Sequence, residues 1–69
     1  MSELPIAAVD RLIRKAGAER VSEDAAEELS KILGEVAQDI SKQAIELALH
    51  AKRKTVTGED IKLATKTMQ

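Results

Sequence analysis

The side chains of this 69-residue chain best suited to chemistry are cations, and they fall in two clusters. Arg11, Arg14, Lys15 and Arg20 stand early; Lys52, Arg53 and Lys54, followed by Thr55, stand late. Between them runs an acidic stretch, with Glu23, Asp24, Glu27, Glu28, Glu35, Asp39 and Glu46 against only Lys31 and Lys42. The formal net charge of −1 taken alone argues against a nucleic-acid partner, but charge segregated in this way permits one. No nucleophile–base constellation, Gly-rich phosphate loop or metal cluster is present, so nothing points to an enzyme. Cysteine is absent, which excludes disulfides and thiolate metal sites, and a single histidine, His50, does not make a metal site. No metal or cofactor is expected. Aromatic residues are absent too, which removes the usual stacking platform for single-stranded nucleic acid.

The element that must position these cations is a long helix from Ser22 to about Ala51. No proline interrupts it, and Gly34 in its interior costs roughly 1 kcal/mol relative to Ala. Ser22 is a good N-cap, with acids massed behind it where the helix dipole favours them, and His50, Lys52, Arg53 and Lys54 suit the far end. At 1.5 Å per residue the helix is about 45 Å long. A compact ball built from so short a chain is roughly 22 Å across, so this helix cannot be wrapped by its own chain. Leu29, Leu33, Val36, Ile40 and Leu47 recur at spacings of three and four, the pattern of a buried stripe. Beside it runs a stripe of small residues, Ala26, Ser30, Gly34, Ala37, Ser41, Ala44, Ala48 and Ala51, that lets another backbone approach closely. Ile45 and Leu49 form a third apolar direction.

Short helices flank the long one. Pro5 suits the first turn of helix one, in which Ile6, Val9, Leu12, Ile13 and Ala16 share an apolar face, and Gly17 ends it. Ala18–Val21 and Lys52–Val56 read as extended connections, each leading to a hydroxyl cap, Ser22 or Thr57. Helix three carries Ile61, Ala64 and Met68 on its apolar side, flanked by Leu63, and Met1 to Leu4 are expected to be loose. The two junctions resemble each other, giving an all-α chain with approximate internal symmetry, one domain over residues 1–69. A chain this small needs a staple, and with disulfides and metals excluded the staple left is oligomerisation. Two short helices folding back across the halves of the long one leave the centre of the small-residue stripe uncovered, and a second copy crossing antiparallel there supplies the staple. No apolar run reaches membrane-span length and no signal-peptide core opens the chain, so the expectation is a soluble, intracellular protein without a membrane partner.

The segments Leu4-Pro5-Ile6-Ala7, Arg11 through Ser22, and Arg53-Lys54-Thr55-Val56 with Glu59-Asp60-Ile61 resemble those of an archaeal histone, and the likeness covers essentially the whole chain. The resemblance implies the histone fold: a short helix, a loop, a long central helix, a loop and a short helix, paired in an intertwined handshake dimer. It implies binding, wrapping and compaction of double-stranded DNA largely without sequence specificity, and a cytoplasmic, nucleoid-associated location. Arg20 is then the minor-groove arginine, Arg11, Lys54 and Thr55 are phosphate contacts, and Arg14 and Lys15 add positive charge. Arg53 and Asp60 match a family salt bridge that braces loop two. The dimer interface falls on Leu29, Leu33, Val36, Ala37 and Ile40. The contact between dimers falls on Leu47, Leu49, His50 and Asp60, with His50 bonding the partner's Asp60. Gly17 matches a position where stacked fibre layers approach.

The chain also departs from the family pattern. Leu49 replaces a usually basic residue, Lys52 a common Gly and Thr57 a common Lys; Ala8 stands where Pro is frequent, and Thr67-Met68-Gln69 lacks the usual basic end. Fewer cations along the DNA path imply a comparatively weak binder with a shallower salt dependence. The alternative is a histone-fold protein–protein dimerisation module or a fibre-terminating modulator with weak DNA binding. The partner is another copy or a paralogous histone, with higher oligomers forming on DNA.

Overall fold

A computed structural model of the chain describes residues 5–67. Three helices follow one another, α1 (Ile6–Lys15), α2 (Glu23–His50) and α3 (Gly58–Thr67), with no strand among the described residues. The chain divides into two compact units, one up to Glu35 and one from Val36, so that α2 contributes its first part to one and the remainder to the other. The expectations for Met1–Leu4, and for Met68 and Gln69 at the C-terminus, concern residues outside the described ones.

In the first unit, the 10-residue α1 is too short to be stable alone, and it is held by packing. Val9 is 2% exposed, and Ala26, Ser30 and Gly34 on α2 are buried. Spacing of four puts those three α2 residues on one strip, where small side chains admit a neighbouring helix closely. In the second unit Ala44 and Ala48 of α2 and Ala64 of α3 are buried, with Asp60 beside them. The Thr67 hydroxyl donates to the Ala64 carbonyl at 2.8 Å, and its oxygen lies 3.2 Å from Gln43 Oε1 of α2. No buried side-chain polar atom among the described residues lacks a hydrogen-bond partner.

The burial along α2 agrees with short helices that cover its two halves and leave the centre of the small-residue stripe open. The small-residue stripe is what the chain's own short helices cover, at Ala26, Ser30, Gly34, Ala44 and Ala48, while its middle members Ala37 and Ser41 are exposed. The large stripe is not buried in the chain: Leu29, Leu33, Ile40 and Leu47 are half-buried and Val36 is 46% exposed. Close approach explains the order, since a helix seated on Ala and Ser excludes water more completely than one propped on Leu. On α1 the apolar face is narrower than expected, because Leu12 is 56% exposed and Ala16 is also exposed. Pro5 lies one step outside the expected first turn, as an extended N-cap whose carbonyl accepts from Ala8 and Val9.

The two loops use one device. At the end of α1, Gly17 N–H bonds the Arg14 carbonyl and Ala18 N–H bonds that of Ile13. At the end of α2, Lys52 N–H bonds Leu49 and Arg53 N–H bonds Ala48. Both are Schellman closures, in which the residue after the cap needs a positive φ. Gly17 supplies it at φ +123, whereas Lys52 is forced to φ 60. Each next helix then opens on a hydroxyl cap: Ser22 Oγ accepts from Ala25 N–H at 3.3 Å, and Thr57 Oγ1 accepts from Asp60 N–H at 3.4 Å.

Left-handed geometry costs a non-glycine residue about 1 kcal/mol. Lys52→Gly is therefore expected to stabilise the protein by about that amount in urea denaturation. Gly17→Ala should destabilise it by about 1 kcal/mol or more through backbone strain alone, since a Cβ there meets nothing within 4 Å.

Candidate nucleic-acid interface

In the second unit the Arg53 and Asp60 side chains meet as a two-point pair. Arg53 Nη1 donates to Asp60 Oδ2 at 2.9 Å and Nη2 donates to Oδ1 at 2.9 Å. Arg53 Nη1 also reaches the Thr55 carbonyl at 3.0 Å, which ties the pair to the loop backbone. Asp60 Oδ2 further accepts from Thr57 N–H at 2.9 Å and lies 3.1 Å from Thr57 Oγ1. Together with the Thr57 Oγ1 contact to Asp60 N–H, this is a reciprocal capping box with Asp in the third helical position. Donation from Arg53, then from Thr57 N–H, holds the Asp60 carboxyl well below the usual carboxylate range, against the opposing effect of burial. The same bond raises Arg53 above its ordinary value.

Lys54 and Thr55 stand on the loop that this network fixes, and both are exposed. Asp60 is heavily committed: its side chain is 5% exposed, and both of its oxygens already accept within its own loop. A bond to His50 of a neighbouring dimer has only the remaining lone pair of Oδ1 to use. His50 and Leu49 are exposed, Leu49 at 61%, and Leu47 is half-buried.

In the first unit Arg11, Leu12, Arg14 and Lys15 line one shallow depression on the outer side of α1. Arg11, Lys15 and Arg20 are exposed. Arg14 is exposed as well, but unlike them it is tied at two points. Its Nε donates to Asp10 Oδ1 at 2.6 Å, and its Nη1 lies 3.3 Å from the Glu19 carbonyl of loop one. Sequence reasoning passed over Asp10 and Glu19, although the spacing of four between Asp10 and Arg14 signals an ion pair along a helix. Nothing in the sequence marks the Glu19 carbonyl. The sequence-derived DNA residues are thus gathered separately, Arg11, Arg14 and Arg20 in one unit and Lys54 with Thr55 in the other. Gly17, between α1 and loop one, is exposed.

Among the described residues no group of His, Cys, Asp or Glu is arranged to hold a metal, and no helix is long and apolar enough to cross a membrane. A short, a long and a short helix joined by two capped loops with exposed cations define the histone fold, an architectural class of protein. The family model for histone-like transcription factors (CBF/NF-Y) and archaeal histones matches residues 2–65, and the chain belongs to that family. It is 64% identical over 66 residues to a subunit of the archaeal histone HAN1 from Thermococcus zilligii, which takes in 96% of this chain and 98% of the relative. It is 50% identical over 64 residues to probable archaeal histone 3 of Methanocaldococcus jannaschii, with 93% and 96% covered. Membership of this structural, non-catalytic family carries a general architectural, DNA-binding role in chromatin.

A carboxyl held below its ordinary range contributes stability that is full above its unfolded pKa, about 4, and is lost as pH falls toward the folded value. Asp60→Asn should accordingly be less stable than the parent at pH 7. The gap between the two should narrow as pH falls from about 4, as read from urea midpoints at a series of pH values.

Proposed function

We propose that the chain works as an obligate dimer in a head-to-tail handshake, with loop one of each protomer beside loop two of the other, and that this dimer binds and wraps double-stranded DNA without reading its sequence. One contrast carries the proposal. The large aliphatic residues of α2 are half-open or open, while Arg11, Arg20 and Lys54 stand exposed with no ion-pair partner among the described residues. The open apolar residues call for a second histone-fold chain, and the unneutralised cations call for phosphate.

Leu29, Leu33, Val36, Ala37 and Ile40 form the contact between protomers. Val36 alone retains nearly half its surface, and burying a side chain of this size fully is worth about 1.5–3 kcal/mol. Pairing brings Arg11 and Arg20 of one protomer toward Lys54 and Thr55 of the other, so that each dimer presents repeated cationic patches to the duplex. Arg20 enters the minor groove, and Arg11, Lys54 and Thr55 hold phosphates. The partner is a second copy or a paralogue; the name of the Thermococcus relative, which describes one subunit of a histone, supports an assembly of chains. Dimers assemble further on DNA through Leu47, Leu49, His50 and Asp60, with Gly17 where layers stack, and the protein resides with the chromosome. A second reading, a dimerisation module or fibre-terminating modulator, is favoured by one observation: Leu49 is apolar and 61% exposed.

Titration of duplex DNA at several salt concentrations tests the proposal. With Arg11, Arg20 and Lys54 of both protomers engaged, the slope of log affinity against log salt should be about −5, and Arg20→Ala should reduce its magnitude by roughly 2, one per protomer. Failure of the folded dimer to retain any duplex at low salt, with dimerisation intact, overturns the proposal and selects the dimerisation module.

A further inference from the structure

Arg14 stands in the last turn of α1 and Arg20 in the loop that follows, and their surroundings differ. Arg20 is exposed with no hydrogen bond among the described residues, while Arg14 is held at two points. Its Nε is fixed to Asp10 one helical turn back, and its Nη1 is aimed at the Glu19 carbonyl, five residues on. That carbonyl belongs to the peptide unit whose nitrogen is that of Arg20. A peptide unit is planar, so orienting the Glu19 carbonyl orients the backbone from which the Arg20 side chain springs.

Loop one is otherwise pinned only near its ends. Ala18 N–H bonds the Ile13 carbonyl on one side, and Ser22 caps α2 on the other. The Arg14 contact holds its middle. Loop two carries the same device: Arg53 donates to the Thr55 carbonyl and is anchored by Asp60. In both loops an arginine is tethered to a helix aspartate and holds a loop carbonyl.

We infer that Arg14 is a positioning residue for Arg20, bracing loop one together with Asp10, and is not itself a phosphate ligand. The inference rests on the proposal that Arg20 contacts DNA. Asp10, an acid beside a cationic face, thereby favours DNA binding by holding the arginine that shapes the loop. Only a guanidinium can do this: its donors lie on separate edges of one rigid plane, whereas a lysine ammonium is a point charge that cannot hold both partners in that geometry.

A double-mutant cycle decides between a brace and a phosphate ligand. Arg14→Lys keeps the charge and should nonetheless weaken duplex binding about 5-fold, with the salt slope unchanged and almost no further loss in an Arg20→Ala background. Amide exchange at residues 18–21 in the DNA-free dimer should be faster in Arg14→Lys than in the parent, a readout that needs no DNA. Binding of Arg14→Lys at parental strength, an equal loss in both backgrounds, or unchanged loop-one exchange each overturns the inference. Absence of duplex binding by the parent protein sinks the DNA reading instead, while additive losses with DNA binding intact remove the brace alone.

Discussion

The structure depends on the size of the side chains that a single chain manages to bury. Among the described residues the buried hydrophobic ones are Val9, Ala26, Ala44, Ala48 and Ala64, of which only Val9 has a side chain larger than a methyl group. Ile6, Leu12, Ile32, Val36, Ile45, Leu49, Val56, Ile61 and Leu63 remain 37–61% exposed. Apolar burial is the main force for folding, and most of the apolar side-chain volume here lies outside the chain's own core. Two short helices cover small strips of a 28-residue helix and leave its larger residues half-buried or exposed. Pairing is thus a condition of folding in our proposal, and the DNA track is a consequence of pairing.

The polar features serve the same end. Each loop begins with a Schellman closure and ends on a hydroxyl cap, and in each an arginine tethered to an aspartate donates to a loop carbonyl. These contacts hold both ends of each loop and one carbonyl in its middle. A loop fixed in advance loses little conformational entropy on binding, which in our proposal matters because its contacts are to phosphates. Lys52 is the exception, a side chain at φ 60 where glycine is favoured. It adds a cation near loop two at the cost of backbone strain.

Much of the fold is legible in the sequence because the signals are local. Ser22 and Thr57 mark helix starts, Gly17 marks a stop, and an uninterrupted run of helix formers marks α2. The periodicity of α2 showed several apolar faces but not which one the short helices would take. That choice depends on how closely a neighbouring backbone can approach, a tertiary property, and it went to Ala and Ser instead of Leu. The loop cations could be read as charged and exposed, but charge type does not distinguish Arg14 from Arg20. The difference lies in a backbone carbonyl, a group every residue carries and no sequence pattern marks. Asp60 was legible as a partner of Arg53, yet its role in capping α3 emerges only from its contacts with Thr57.

Sedimentation equilibrium over nanomolar to micromolar protein, with circular dichroism on the same samples, tests the central claim most directly. Helical signal and mass should rise together, with a particle of at least twice 7.5 kDa wherever the protein is folded and loss of helix wherever it dissociates. A fully helical, cooperatively folded particle of single-chain mass would contradict the claim that this helix needs a second chain.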